Sequence, residues 1–93
     1  YFLIYLDHAA TTPIDPSVLS AMEEINRTYF ANPSSIHSLG QQSKVLLENS
    51  RKTIAFSIGA KAGELVFTSG GTEANNLALI GVARANKNLG NHI

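Results

Sequence analysis

The chain has 93 residues, enough for one small domain and too few for two. Apolar residues make up 44% of it, a globular proportion and too high for a disordered chain, while seven basic and seven acidic side chains cancel to a formal charge of zero. That balance excludes a basic field for nucleic acid or an anionic membrane, and the absence of cysteine excludes a disulfide framework, a thiolate metal site and a thiol nucleophile within these residues.

The opening run Tyr1-Phe2-Leu3-Ile4-Tyr5-Leu6 is apolar but stops at Asp7. It lacks the basic leader, longer apolar core and small-residue cleavage site of a signal peptide, so it reads as a short strand or arm packed on something larger. No stretch approaches the length of a membrane span. A cytoplasmic location is the expectation, with which the absence of cysteine is compatible. The chain does not begin with Met, which allows the numbering to start inside a longer chain.

After the polar loop His8 to Ile14, Asp15 followed by Pro16 predicts a helix start: Asp15 can cap unpaired N–H groups, and Pro16 sits where its missing N–H costs nothing. Val18, Met22, Ile25 and Tyr29 then recur at helical spacing and form one apolar stripe, so a helix is expected from about Pro16 to Tyr29. Asn32-Pro33-Ser34-Ser35 breaks it, because Asn before Pro is pushed towards extended geometry. A second helix is expected from about Gly40 to Ile58, with Leu47, Ile54 and Ile58 on one face and Gly59 as its stop. Glu64-Leu65-Val66-Phe67-Thr68 reads as a short strand whose consecutive apolar residues suit a parallel sheet buried on both faces. A third helix is expected from Thr72 to about Leu89, and Asn91-His92-Ile93 as the opening of another strand. Strand, helix and strand start make an incomplete βαβ unit, with too little sheet to cover three helices. The folded object is therefore expected to continue beyond Ile93 or to pair with another chain.

Between strand and helix lies Ser69-Gly70-Gly71-Thr72-Glu73. A helix N-terminus offers unpaired N–H groups and a partial positive charge, and glycines before it let an anion come close. The loop predicts a phosphate held by the backbone N–H groups of Gly71 and Thr72 and by the Thr72 hydroxyl. A plain strand-to-helix turn with glycines for tightness is the alternative, and the pattern alone leaves the two level. The loop lacks the Lys of a Walker loop, and its adjacent glycines do not match the Gly-x-Gly-x-x-Gly of a dinucleotide fold.

Three stretches also resemble the motifs of one family. Tyr5-Leu6-Asp7-His8-Ala9-Ala10-Thr11-Thr12-Pro13 is similar to the opening motif of cysteine desulfurases of the NifS/IscS-like group, within the class V aminotransferases. Asn32-Pro33-Ser34-Ser35-Ile36-His37 resembles their second motif, and Phe67 to Asn76 their phosphate-cup motif, in the same order and spacing. The resemblance implies an α/β chain, the N-terminal segment of the type I fold of transferases dependent on pyridoxal 5′-phosphate (PLP). Residues 1–93 would form a single incomplete segment: the N-terminal arm and the start of the large PLP-binding domain. It implies PLP as cofactor and electron sink, L-cysteine as substrate, L-alanine and an enzyme persulfide as products, and sulfur supply for iron–sulfur clusters or other sulfur compounds. It further implies a homodimer, the remainder of the same chain as a partner, and a sulfur-acceptor or scaffold protein.

Gly71 and Thr72 match the pair that holds the PLP phosphate. Asn32 and His37 match positions near the active-site mouth, and Ala10, Thr11 and Thr12 a loop approaching the substrate. In the family the Schiff-base Lys and the nucleophilic Cys come later in the chain, so residues 1–93 alone are expected to be inactive. Lys44, Lys52, Lys61 and Lys87 match no motif and read as surface charges. Simpler readings stand beside these: His37 as a loop histidine bonded to a nearby carbonyl, Thr11-Thr12 as a turn before Pro13, Glu73 paired with a neighbouring helix or solvent. The three histidines lack metal-site spacing. A selenocysteine lyase or class V transaminase is the alternative chemistry, and a non-catalytic interaction module the alternative class.

Overall fold

Asp15 caps the first helix as its sequence predicts. In the computed structural model, which describes residues 2–90, helix α1 runs Pro16–Thr28. The Asp15 carboxylate accepts the Ser17 N–H at 2.8 Å and also the Ser17 hydroxyl. The Ser17 hydroxyl first, and its N–H second, hold the Asp15 carboxyl below the usual carboxylate range. Tyr29, expected as the last helical residue, is the C-cap, its N–H bonded to the Ile25 carbonyl at 2.8 Å. The chain divides into two units, Tyr1–Ser50 and Arg51–Ile93, and each is described by itself.

In the first unit, Asn32 to Ser35 form a turn: the Ser35 N–H donates to the Asn32 carbonyl at 3.0 Å and the Ser34 N–H to the Asn32 side-chain oxygen at 2.8 Å. Helix α2, Ser38–Ser57, begins two residues earlier than the expected Gly40. The cause is His37, which acts as its cap: its carbonyl accepts the Gln41 N–H at 3.1 Å, and its Nδ1 accepts the Gly40 N–H at 3.2 Å. Histidine is not among the favoured capping residues, so the sequence gives no boundary signal there. Gly40 is buried, and the Ser43 hydroxyl, 5% exposed, ties α2 to the end of α1 by donating to the Tyr29 carbonyl at 3.1 Å and to the Leu39 carbonyl at 3.2 Å.

The C-terminus of α2 closes at Gly59, as expected. Gly59 has φ +70°, the Ala60 N–H donates to the Ala55 carbonyl at 2.9 Å and the Gly59 N–H to that of Phe56 at 3.1 Å. This pair of bonds is a Schellman cap, which needs a left-handed residue where glycine carries no Cβ penalty. Nothing lies within 4 Å of a Cβ added at Gly59, so the cost of Gly59→Ala is one of backbone conformation alone. We expect about 1 kcal/mol of lost stability, read from urea unfolding.

In the second unit Ala62–Glu64 form a 3-10 turn, closed by the Lys61 N–H on the Glu64 carboxylate at 2.7 Å. No strand occurs among the described residues, so the expected strand at Glu64 to Thr68 is not seen: Glu64 belongs to the 3-10 turn, Leu65 is extended (φ −100°, ψ 126°), and residues 65–68 have no partner strand. Helix α3 runs Gly71–Ala85, four residues short of the expected Leu89. Asn86 ends it: its N–H and its side-chain amide both bond the Val82 carbonyl, at 3.0 and 2.9 Å, and a turn follows in which the Leu89 N–H reaches the Asn86 carbonyl at 2.8 Å. Lys87 therefore lies outside the helix. The expected strand start at Asn91 to Ile93 lies outside the described residues.

Among the described residues Ala55, 1% exposed, is the buried apolar side chain, while the stripe Val18, Met22, Ile25 and Tyr29 stays open at 37–50%. The opening arm, residues 2–6, is exposed and carries no assigned secondary structure. No helix among the described residues is long and apolar enough to cross a membrane.

Candidate functional site

The start of α3 is built by four side chains that bond within the loop and the first turns of the helix. The Thr68 hydroxyl donates to the Gly70 carbonyl at 3.1 Å. The Ser69 N–H donates to the Glu73 carboxylate at 2.8 Å, and the Ser69 hydroxyl donates to the same oxygen. The Asn76 side-chain amide returns to the Thr72 carbonyl at 2.8 Å. Gly70 caps the helix, and the Ala74 N–H on its carbonyl at 3.1 Å is the first helical bond.

The N–H groups of Gly71, Thr72 and Glu73 precede that bond. Among the described residues they meet no protein acceptor, as the first amides of an α-helix do. The Glu73 carboxylate, the one acidic group of this first turn, is spent on Ser69. Nothing lies within 4 Å of a Cβ added at Gly70 or Gly71, so the backbone on the Cβ side of these glycines is uncrowded. The arrangement can therefore accept an anion on two backbone N–H groups and the exposed Thr72 hydroxyl, with the helix dipole favouring the negative charge.

The Ser69 hydroxyl, and after it the Ser69 N–H, holds the Glu73 carboxyl below the usual carboxylate range. A folded-state value lower than the unfolded one means that the bond contributes its stability above the ordinary carboxylate value and loses it as pH falls through the depressed one. Acid titration followed by circular dichroism should show helix loss below the ordinary glutamate range, and Glu73→Gln should flatten that part of the curve.

The other expected site residues belong to the first unit, and Gly71 and Thr72 to the second. Asn32 and His37 both carry the local structure ahead of α2: Asn32 closes the turn with Ser34 and Ser35, and His37 accepts the Gly40 N–H rather than bonding a carbonyl. Ala10 and Thr11 sit in a turn, their N–H groups 3.1 and 3.4 Å from the Asp7 carbonyl. The Tyr5 hydroxyl donates to the carbonyls of Asp7 at 2.9 Å and Thr11 at 3.2 Å, and its ring packs edge-on against His8 at 4.9 Å. Tyr5, Thr11, Thr12 and Pro13 line an open hollow of about 420 Å³. Sequence reasoning missed the Ser69–Glu73 clasp, for which the Ser-x-x-x-Glu spacing was the signal, and it missed Arg51.

Residues 4–93 match the family described as aminotransferase class-V. The chain belongs to the class V aminotransferases. Within that family it is 54% identical over 90 residues to a Bacillus subtilis protein named "Putative cysteine desulfurase IscS 1", and 50% identical over 90 residues to the cysteine desulfurase IscS of Dictyoglomus turgidum. It is also 50% identical over 91 residues to the cysteine desulfurase IscS of Rickettsia bellii. Each alignment takes in 97% of this chain and 24%, 23% and 22% of the relative, respectively. The chain thus spans about a quarter of the length of the curated relatives it matches. No solved structure matches it.

Proposed function

We propose that residues 1–93 are the leading part of a PLP-dependent cysteine desulfurase, with the cofactor phosphate held by the N–H groups of Gly71 and Thr72 and the Thr72 hydroxyl. The observation that carries this reading is that the amides of Gly71 and Thr72, among the three that open α3, meet no protein acceptor among the described residues, inside a segment that the class V family matches. The donor set suits a phosphate monoester: backbone N–H groups, one hydroxyl, no crowding on the Cβ side of Gly70 and Gly71, and the Glu73 carboxylate of the same turn bonded to Ser69 instead. When bound, PLP supplies the electron sink that lets the bonds of an amino acid break. Gly71 and Thr72 would bind and orient the phosphate; Ala10, Thr11, Thr12, Asn32 and His37 keep the substrate-region role that their motif positions imply.

Sulfur leaves L-cysteine for a cysteine thiolate, giving L-alanine and an enzyme persulfide for iron–sulfur or other sulfur-compound synthesis. This chain contains no cysteine, so the thiolate comes from the remainder of the same enzyme, and residues 1–93 alone are inactive. The open stripe on α1 and the unpaired segment 65–68 suit a chain that completes its core and sheet, an incomplete βαβ unit among them, with that remainder in a cytoplasmic homodimer.

The complete protein carrying this segment, supplied with PLP, L-cysteine and a thiol reductant, should release L-alanine and sulfide in equal amounts. Transfer of the amino group to a keto acid instead would replace the reading with a transaminase. A preference for selenocysteine would replace it with a selenocysteine lyase, and failure to take up PLP would end it.

A further inference from the structure

Arg51, on α2, does two things with one guanidinium. Its Nη1 donates to the Leu65 carbonyl at 2.7 Å, and its central carbon stands 4.8 Å from the centroid of the Phe67 ring. Leu65 and Phe67 lead from the 3-10 turn into the glycine loop, along a stretch that no strand ladder holds among the described residues. One residue further, the Thr68 hydroxyl fixes the Gly70 carbonyl, which in turn accepts the first bond of α3. A continuous set of contacts thus runs from Arg51 to the amides of Gly71 and Thr72. Arg51, Leu65 and Thr68 are half-buried, as a fixed strut requires and a surface charge does not. A planar guanidinium bonds a carbonyl in its plane while its face lies on a ring; a lysine ammonium cannot do both.

We propose that Arg51 is a positioning residue for the phosphate loop, setting where the amides of Gly71 and Thr72 point without touching the cofactor. The proposal rests on the phosphate reading given above. Its test uses the complete enzyme, stripped of cofactor and titrated with PLP and, separately, with pyridoxal, which lacks the phosphate.

Arg51→Lys should weaken PLP about fivefold and leave pyridoxal within about twofold, because only the phosphate's share of the binding depends on the loop. Phe67→Leu, which removes the ring but not the charge, should move PLP in the same direction and decides the matter where Arg51→Lys does not fold. Equal weakening of PLP and pyridoxal would mark Arg51 as a general structural residue and overturn the proposal. Unchanged PLP affinity in both variants, with Thr72→Ala weakened, would overturn the role of Arg51 and leave the phosphate loop standing. No change in any of the three variants would remove the loop reading and the role of Arg51 together.

Discussion

Gly40→Ala should destabilise the chain by about 2 kcal/mol, although alanine is the better helix former. Alanine in place of a helical glycine contributes about 1 kcal/mol in its favour. Against that, a Cβ at Gly40 would stand 2.6 Å from both the Cβ and the carbonyl oxygen of Ser35 and 2.8 Å from the Asn32 carbonyl oxygen. Two of these are backbone atoms and the third is a Cβ, so no flexible side-chain end can move aside, and forced overpacking costs about 1–3 kcal/mol or more. The turn would have to open, breaking the Ser35 bond to Asn32 and the Gly40 bond to His37. Gly81 is the comparison: it lies within α3 with nothing within 4 Å of an added Cβ, and Gly81→Ala should stabilise by about 0.5–1 kcal/mol. Urea unfolding of both variants checks the pair, and a Gly40→Ala chain as stable as the parent would refute the close approach.

Gly71→Asp should separate the fold from its function. An added carboxylate meets nothing within 4 Å of its Cβ, and at the first helical position it interacts favourably with the dipole of α3. Helix content should hold or rise slightly. The same charge would face the bound phosphate, where like charges about 4 Å apart repel by about 4 kcal/mol at an effective dielectric of 20. Allowing for partial screening, PLP affinity of the complete enzyme should fall by at least about 100-fold. Equilibrium dialysis against PLP, with circular dichroism on the same sample, reads both halves. Undiminished binding would mean that the phosphate goes elsewhere.

Helix α1 was readable because two local signals coincide: Asp15 and Pro16 mark the start, and the stripe to Tyr29 marks the length. Gly59 was readable because a left-handed cap has one favoured residue. The errors have physical causes. His37 caps α2 with a ring nitrogen, a use that propensity does not encode. Asn86 ends α3 with its own side chain before the expected Leu89 is reached. The segment 65–68 has the composition of a strand, but a strand exists only with a neighbour, and none is present among the described residues. At the candidate site, the open amides of Gly71 and Thr72 were legible because they follow from a helix start. Arg51 was not, because its partners are fourteen and sixteen residues away, beyond any local pattern.

Because the Glu73 carboxylate accepts its bonds from Ser69, it does not occupy the first amides of α3, and on the proposed reading a bare pair of amides has no contact that would tell one small oxyanion from another. On that reading, sulfate or orthophosphate in a purification buffer would meet the same two amides as the vitamin-derived ester and compete with it. Reconstitution of the cofactor-free protein should therefore run faster in a zwitterionic buffer than in millimolar phosphate.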